Sequence, residues 1–314
     1  MTTEMTYIYE VYRQGSFSKA AQKLFLTQPA LSIAVRKVEA ELKTTLFDRN
    51  CTPIALTDAG KIYIEKTELI RQLEKDLVAG INDISLLLAG NLNVGGTSYL
   101  NSYVLPPVIS EFMHRFPNIT FSLSEAASGS LFDLLDNGSI DITFSCTAIN
   151  PDKFTKSHAF YDTVLLAVPK RFISEDILSL ALSREDILNQ KYLTSSAIPI
   201  DLSLFSDFPF ILLNAGNNLY QRSMEFLKTA RIKPRVIQQL DQLATAYHLC
   251  CQGIGVTFIG SLLVTPYSSP DVMYFRIDSP LALRSFNAVT RTNRYQSLAA
   301  TEFIRLVSEM YAII

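Results

Sequence analysis

The stretch SKAAQKLFLTQPALSIAVRK, residues 18–37, is laid out as two short helices joined by a turn. Ala20, Ala21 and Leu24 give the first helix, predicted over Lys19 to Phe25 with Ser18 as its cap, a small apolar contact face. Thr27 is a suitable N-cap for the second helix, Gln28 to Leu42. Pro29 falls in its first turn, where backbone N–H groups lack intrahelical partners in any case. Leu31, Val35, Val38 and Leu42 recur at helical spacing and form its buried stripe. Gln28, Ser32 and Arg36 then fall on the opposite face, with Thr27, Pro29 and Ile33 beside them.

A helix-turn-helix puts the N-terminal part of its second helix into the major groove of DNA. Gln28 can offer its amide to a base edge, and Pro29 and Ile33 can pack on thymine methyl groups. Thr27, Ser32, Arg36 and Lys37 suit phosphate oxygens, which set register rather than sequence preference, and Ser18 is counted with the DNA-binding residues. On pattern alone, an amphipathic helix pair with no DNA partner would look the same.

Outward from this motif the chain reads in three sections. Upstream, a helix from Met5 to Gln14 is stopped by Gly15. Downstream, Asp58 to about Leu88 reads as one long helix, capped by Thr57 and ended by the Ala89-Gly90-Asn91 run. Its apolar positions Ile62, Leu69, Leu73, Leu77, Ile81, Ile84 and Leu88 fall near a 3-4 repeat that Lys66 interrupts. A lone helix with one apolar stripe has to bury it. Pairing with the same helix of a second subunit is the simplest solution, and packing on its own domains is the alternative.

From Leu92 onward strands and helices alternate, the mark of mostly parallel sheets covered by helices. Predicted strands are 92–95, 120–123, 141–145, 164–168, 210–213, 235–240, 255–259, 272–277 and 288–290. Predicted helices are 103–115, 131–137, 220–229, 244–252 and 296–310. The stretch Glu175 to Phe208 lacks strand signals and reads as helix plus loop. It could cover a cleft or form an interface.

Composition excludes more than it selects. The net charge is −2, and residues 1–58 hold seven basic groups against six acidic ones, so no bulk electrostatic argument favours DNA. Four cysteines (Cys51, Cys146, Cys250, Cys251) and three histidines show no metal-ligand spacing, and neither a cofactor nor a metal is expected. Cys250 and Cys251 sit in an apolar helical stretch and read as buried structural thiols. No unbroken apolar run approaches a membrane span, and Met1 to Glu10 has neither a basic nor an apolar leader region. A cytoplasmic protein is expected.

The motif also carries a resemblance. Residues 16–21 (SFSKAA), Leu24, residues 27–32 (TQPALS), Val38-Glu39, Leu42, residues 46–49 (LFDR) and residues 56–60 (LTDAG) resemble the LysR-type winged helix-turn-helix in order and spacing. The resemblance implies a wing between about Phe47 and Leu56, with Arg49 near a phosphate, and then a dimerising linker helix whose start Ala59 and Gly60 leave uncrowded. Ile33 and Ala34 depart from the family's usual polar or basic residues, and the wing 50–55 lacks its common basic ones. The resemblance continues, more weakly, through Asn93-Val94-Gly95-Gly96-Thr97, Leu105-Pro106, Phe116-Pro117, Gly138, Ile140-Asp141-Ile142 and Gly253-Ile254-Gly255-Val256. Gly260 stands where a proline is common nearby. What this implies is an α/β effector domain of two periplasmic-binding-protein-like lobes with a ligand cleft between them.

The expected organisation is a winged helix-turn-helix over 1–58, a linker helix over 59–89 and an effector domain over 90–314. Its first lobe is placed at about 91–161 plus 267–314, and its second at 162–266.

Open parallel sheets bind ligands beyond the carboxyl ends of their strands. Thr97, Ser98 and Tyr99 follow a predicted strand and precede a helix, offering hydroxyls and backbone N–H groups that favour an anion such as a carboxylate. Ser128 and Gly129 make the same offer after the next strand. Asn217 and Asn218 stand at the start of a second-lobe helix, and Ser145 and Thr147 could line the floor. For any one of these residues plain helix capping is an equal alternative.

The expected partners are double-stranded promoter DNA, a small effector and further copies of the chain, dimeric through the linker helix and tetrameric through the sensing domains. Two other functions compete. An enzyme on the same two-lobed fold would need a nucleophile elbow, a His or Cys cluster or a phosphate loop, and none is present. A cytoplasmic small-molecule receptor would have no use for the N-terminal motif.

Overall fold

The structure, a computed structural model, describes residues 2–49, 51, 53–84, 90–292 and 294–312. It consists of two compact units, Met1–Leu87 and Leu88–Ile314.

In the N-terminal unit, α1 (Thr3–Gln14) ends at Gly15, whose φ of 59° lets its N–H turn back to the Tyr12 carbonyl. Next comes α2 (Phe17–Lys23), capped by Ser16, whose hydroxyl accepts from the Lys19 N–H. Ser18 is therefore not the cap. The chain is already helical at Phe17, and Ser18 sits exposed in the first turn. Then α3 (Gln28–Leu42) starts as predicted, with the Thr27 hydroxyl accepting from the Ala30 N–H.

A two-stranded wing, β1 (Phe47–Asp48) antiparallel to β2 (Ala55–Leu56), leads into α4 (Asp58–Ile84). The Thr57 hydroxyl accepts from the Gly60 N–H at 3.0 Å and caps that helix. Its predicted end at Leu88 and Ala89 lies outside the described residues. Ile8, Phe17, Leu31, Val35, Leu46 and Ile64 form the core of this unit. Leu42, expected in the buried stripe, is 48 % exposed, because the apolar face of α3 ends at Val38 and Glu39.

The second unit holds nine strands and seven α-helices among the described residues. Its first lobe is built on β3 (Gly90–Gly96), β4 (Ile119–Glu125) and β5 (Ile142–Ser145), with β3 central and parallel to both neighbours. Two antiparallel strands extend this sheet, β6 (Phe154–Pro169) and β11 (Leu283–Arg291), in the order β6-β11-β5-β3-β4. A π-helical turn at Leu100–Val104, α5 (Leu105–Arg115) and α11 (Leu298–Met310) cover one face. The short α6 (Ser128–Asp136) packs its Leu131 and Leu135 with Ile140, Phe154 and Val289 in a separate apolar cluster.

The second lobe shares β6. That strand is 16 residues long; its first part pairs with β11, and its last part pairs with β9 (Thr257–Gly260) and β10 (Val272–Arg276). A parallel pair, β7 (Pro209–Leu213) and β8 (Arg235–Leu240), joins through a bridge between Phe210 and Val256. The helices here are α7 (Glu175–Leu178), α8 (Arg184–Leu188), α9 (Asn218–Thr229) and α10 (Leu243–Cys251).

One expectation changes. Val272–Arg276 was placed with the first lobe, but Val272, Tyr274 and Phe275 pack in the core of the second. The return to the first lobe comes only at β11. The Glu175 to Phe208 stretch contributes no described residue to the cavity lining, and its Ile177, Ile187, Tyr192, Ile200 and Phe205 are buried in the same second-lobe core.

Candidate DNA-reading face and ligand cleft

Gln28, Pro29, Ile33, Arg36 and Lys37 are exposed on α3, and Thr27 is exposed at its cap. Ile33 is 67 % open, an apolar side chain left without cover on the face a groove would meet. Ser32 is different. It is 8 % exposed, and its hydroxyl accepts from Arg49 Nη1 at 3.3 Å. Arg49 also pairs through Nη2 with Glu39 Oε2 at 3.1 Å and lies 4.8 Å from the Phe17 ring centroid. Ser32 and Glu39 are seven residues apart, two helical turns, so one guanidinium reaches both. Both Ser32 and Arg49 thus brace the recognition helix against the wing. The expectation that Ser32 faces a phosphate fails because its side chain is turned inward.

In the second unit all nine residues singled out from the sequence line one cavity of about 560 Å³. Thr97, Ser98 and Tyr99 come from the end of β3, and Ser128 and Gly129 from the start of α6. Ser145 and Thr147 follow β5, and Asn217 and Asn218 open α9. These are carboxyl ends of strands and N-termini of helices, where free N–H groups and hydroxyls gather. The Asn217 side chain accepts from the Leu219 N–H at 2.9 Å and so caps α9. By contrast the N-cap positions of α6 and α10, Ala127 and Gln242, make no side-chain cap hydrogen bond, and both residues line the cavity.

One contact crosses from lobe to lobe beside the cavity and a second, within α9, supports it. The Cys146 thiol donates to Asn218 Oδ1 at 3.3 Å, and the Arg222 Nε–H donates to the same oxygen at 2.9 Å. Behind them Asp162 on β6 collects the Tyr99 hydroxyl at 2.7 Å, the Ser261 hydroxyl at 3.0 Å and the Leu262 N–H at 3.4 Å. Its cross-strand partner Arg284 on β11 forms an ion pair with it. Burial, and then the charge of Asp162, push the Tyr99 phenol well above its usual range. For Arg284 burial opposes the charged form, but Asp162 and the neighbouring Tyr99 outweigh it and hold the guanidinium protonated.

The sequence reading missed Arg284, Thr143 and the acids Glu125 and Asp241 at this cavity, and Asp162 behind it. A signal was available for Arg284. Residues 284, 286 and 288 alternate inward on a strand that was recognised only from Ala288 onward.

Comparison with known proteins decides the family. Residues 2–61 match the bacterial regulatory helix-turn-helix model of the lysR family, and residues 86–312 match the LysR substrate binding domain. The chain belongs to the LysR family.

Among its relatives, the uncharacterized HTH-type transcriptional regulator YcgK of Bacillus subtilis is 30 % identical over 97 % of this chain and 93 % of its own length. BsdA of the same organism is 24 % identical over 96 % and 98 %. In fold, this LysR-family chain is similar to full-length CbnR complexed with its target DNA, at a TM-score of 0.63 and 19 % identity over 98 % of this chain and 99 % of that one. The effector binding domain of QuiR in complex with shikimate matches at 0.54 and 16 % identity, covering 71 % of this chain and 97 % of that one. A LysR-family chain with both domains is a DNA-binding transcriptional regulator with an effector-binding domain.

Among the described residues no helix is long and apolar enough to cross a membrane, and no group of His, Cys, Asp or Glu is placed to hold a metal ion. Cys250 is buried, and that burial pushes its thiol far above the usual range.

Proposed function

We propose that this regulator reads promoter DNA with the exposed N-terminal half of α3 and is switched by a small carboxylate held in the cavity between its effector lobes. Gln28, Pro29 and Ile33 address base edges, while Thr27, Arg36 and Lys37 fix the helix on phosphates. Ser18, exposed in the first turn of α2, is assigned to the same DNA contact set. Arg49 acts indirectly, holding the wing and α3 together. The observation that carries the ligand half of this reading is the meeting of nine hydroxylic, amide and glycine positions from four separate loops around one cavity.

The assembly follows from α4. Ile62, Leu73, Leu77 and Ile81 are each more than half exposed along it, which favours a dimer that buries this stripe. Two such dimers, joined through their effector domains, bend the promoter. The protein works in the cytoplasm and catalyses no reaction. Ligand shifts the arrangement of the lobes by its differential affinity for the two states, and with it the spacing of the DNA-reading heads.

Two measurements test this. The chain should retard its own promoter DNA in preference to random DNA. In a panel of small carboxylates, amino acids and aromatic acids, at least one should raise the melting temperature and alter that retardation. A ligand at ~100 times its dissociation constant stabilises by about 2.7 kcal/mol. The effect should vanish when Thr97 and Ser98 are both changed to alanine. Retardation without preference would overturn the DNA half, and a panel with no response would overturn the ligand half.

A further inference from the structure

Where the two lobes meet beside the cavity, one guanidinium holds three acceptors at once. Asn218 opens α9 and Arg222 follows it by four residues, so the two side chains stand one turn apart on the same face. The Arg222 Nε–H donates to Asn218 Oδ1 at 2.9 Å, and its Nη1 donates to the carbonyl of Leu281 and, at 3.5 Å, to that of Leu283. Leu281 lies in the short turn Pro280–Ala282, which carries the chain out of the second lobe and into β11 of the first. Asn218 Oδ1 also accepts the Cys146 thiol at 3.3 Å, and Cys146 packs on the core of the first lobe.

This differs from surface ion pairing. Arg222 is half-buried, and burial pushes its guanidinium below the usual range, yet each of these acceptors is neutral. The side chain gives up hydration for position. Because a guanidinium can only donate, it fixes which end of the Asn218 amide faces Cys146. A thiol is a weak donor, so the contact between the lobes depends on that amide being held in place. Leu281 and Leu283 are 40 % and 46 % exposed, and only Ala282 between them is buried. The crossover is therefore anchored through its carbonyls more than through its side chains.

We propose that Arg222 is a positioning residue for the switch: it clamps Asn218 against Cys146 and the crossover against α9, and so sets how the two lobes stand in the regulator at rest. This rests on the reading of the lobes as a ligand-set switch and names the residue that holds them. Asn218 and Cys146 line the cavity, and Arg222 is not among its described lining residues. Anything in the cavity that moves Asn218 therefore acts on the clamp without touching the arginine. Displacing the one Oδ1 atom releases the thiol of the first lobe and the Nε–H of the second together. The crossover carbonyls stay on Nη1, so the movement passes to the segment that enters β11.

The test follows the full chain, with no ligand added, by peptide-resolved alkylation of its thiols with iodoacetamide. In the wild type Cys146 should react slowly beside the exposed Cys51. Arg222→Met should raise the Cys146 rate about tenfold, while Cys250, buried in the second-lobe core, stays protected and shows that the fold is intact. Burial holds the Cys146 thiol above its usual range, and the charges of Arg284 and Arg222 pull the other way. Losing Arg222 would by itself slow the chemistry, so a rise reports access. Arg222→Lys keeps the charge but loses the planar fork, and should give an intermediate rate. Asn218→Ala should also free Cys146, and the double variant should add little to Arg222→Met, because both act through one contact. Hydrogen exchange separates the two arms. The Leu281 and Ala282 N–H groups donate to Ser279 Oγ and O at 3.2 and 3.0 Å, and they should exchange faster in Arg222→Met but not in Asn218→Ala. Promoter retardation should change in Arg222→Met, with random DNA held as in the wild type.

An unchanged Cys146 rate in Arg222→Met, a lysine variant no slower to react than the methionine one, or the same exchange at Leu281 and Ala282 in every variant would each overturn the clamp. So would a Cys250 that opens together with Cys146, since the arginine would then only support the fold. Faster alkylation with promoter retardation unchanged would overturn its part in the switch. If the wild type shows no preference for its promoter, the DNA reading falls, and alkylation and exchange still decide the clamp.

Discussion

Glu39 holds Arg49 through its Oε2 atom at 3.1 Å while its Oε1 accepts the backbone N–H groups of Leu46 and Phe47 at 2.8 and 3.4 Å. One carboxylate on the recognition helix therefore organises the chain entering the wing. Removing it leaves buried donors unsatisfied, which costs about 1–3 kcal/mol. Glu39→Ala should speed amide exchange at Leu46 and Phe47 by about tenfold or more, and Glu39→Gln, which keeps an acceptor, by less. Unchanged protection at Leu46 in the alanine variant would refute this role.

Phe25 carries a different cost. It sits in the turn between α2 and α3 with φ of 55° and is 96 % exposed, so it adopts a left-handed conformation without packing to offset the strain. Asparagine tolerates that region better than an aromatic residue does. Phe25→Asn should stabilise the N-terminal unit by about 0.5–1 kcal/mol, measured as a higher urea midpoint. A lower midpoint would mean that the ring packs against something in solution.

The division of labour on α3 can be separated by mutation. Gln28→Ala should lose ~1–3 kcal/mol of preference for the promoter over random DNA. Arg36→Ala should weaken both about equally and lower the slope of affinity against salt by about one. Retardation of the two DNAs over a salt series reads all of this. Equal losses on both DNAs for both variants would sink the assignment.

Legibility in the sequence followed local periodicity. The recognition helix, the caps at Thr27 and Thr57 and the strand ends that meet at the cavity announce themselves through spacing or turn chemistry within a few residues, whereas the wing came only from the family resemblance. What stayed hidden depends on contacts distant in the chain. The first part of β6 could not be read because Thr155, Lys156, Ser157 and His158 are all exposed, which erases the alternation of a half-buried strand. Ser32 looked outward on a helical wheel, and only Arg49, seventeen residues later, turns it in. Arg284 and Asp162 are 122 residues apart and meet because two strands cross between the lobes.

Tyr311 gives a prediction in pH. Its hydroxyl donates to the Val104 carbonyl at 2.6 Å, joining the end of α11 to the π-helical turn, and burial pushes its phenol up to about 12. The unfolded chain releases this proton near the ordinary tyrosine value of about 10. Folding therefore keeps the proton that the unfolded state gives up, and the associated stability is fully present below pH ~10 and lost as pH rises toward ~12. Tyr311→Phe lacks both the hydrogen bond and the titration. At pH 8 it should be less stable than wild type by about 0.5–1.5 kcal/mol. That gap should narrow steadily above pH ~10, seen as converging urea midpoints for the two proteins. A gap that stays constant to pH ~11.5 would show that the Tyr311 hydroxyl is not held protonated by the fold.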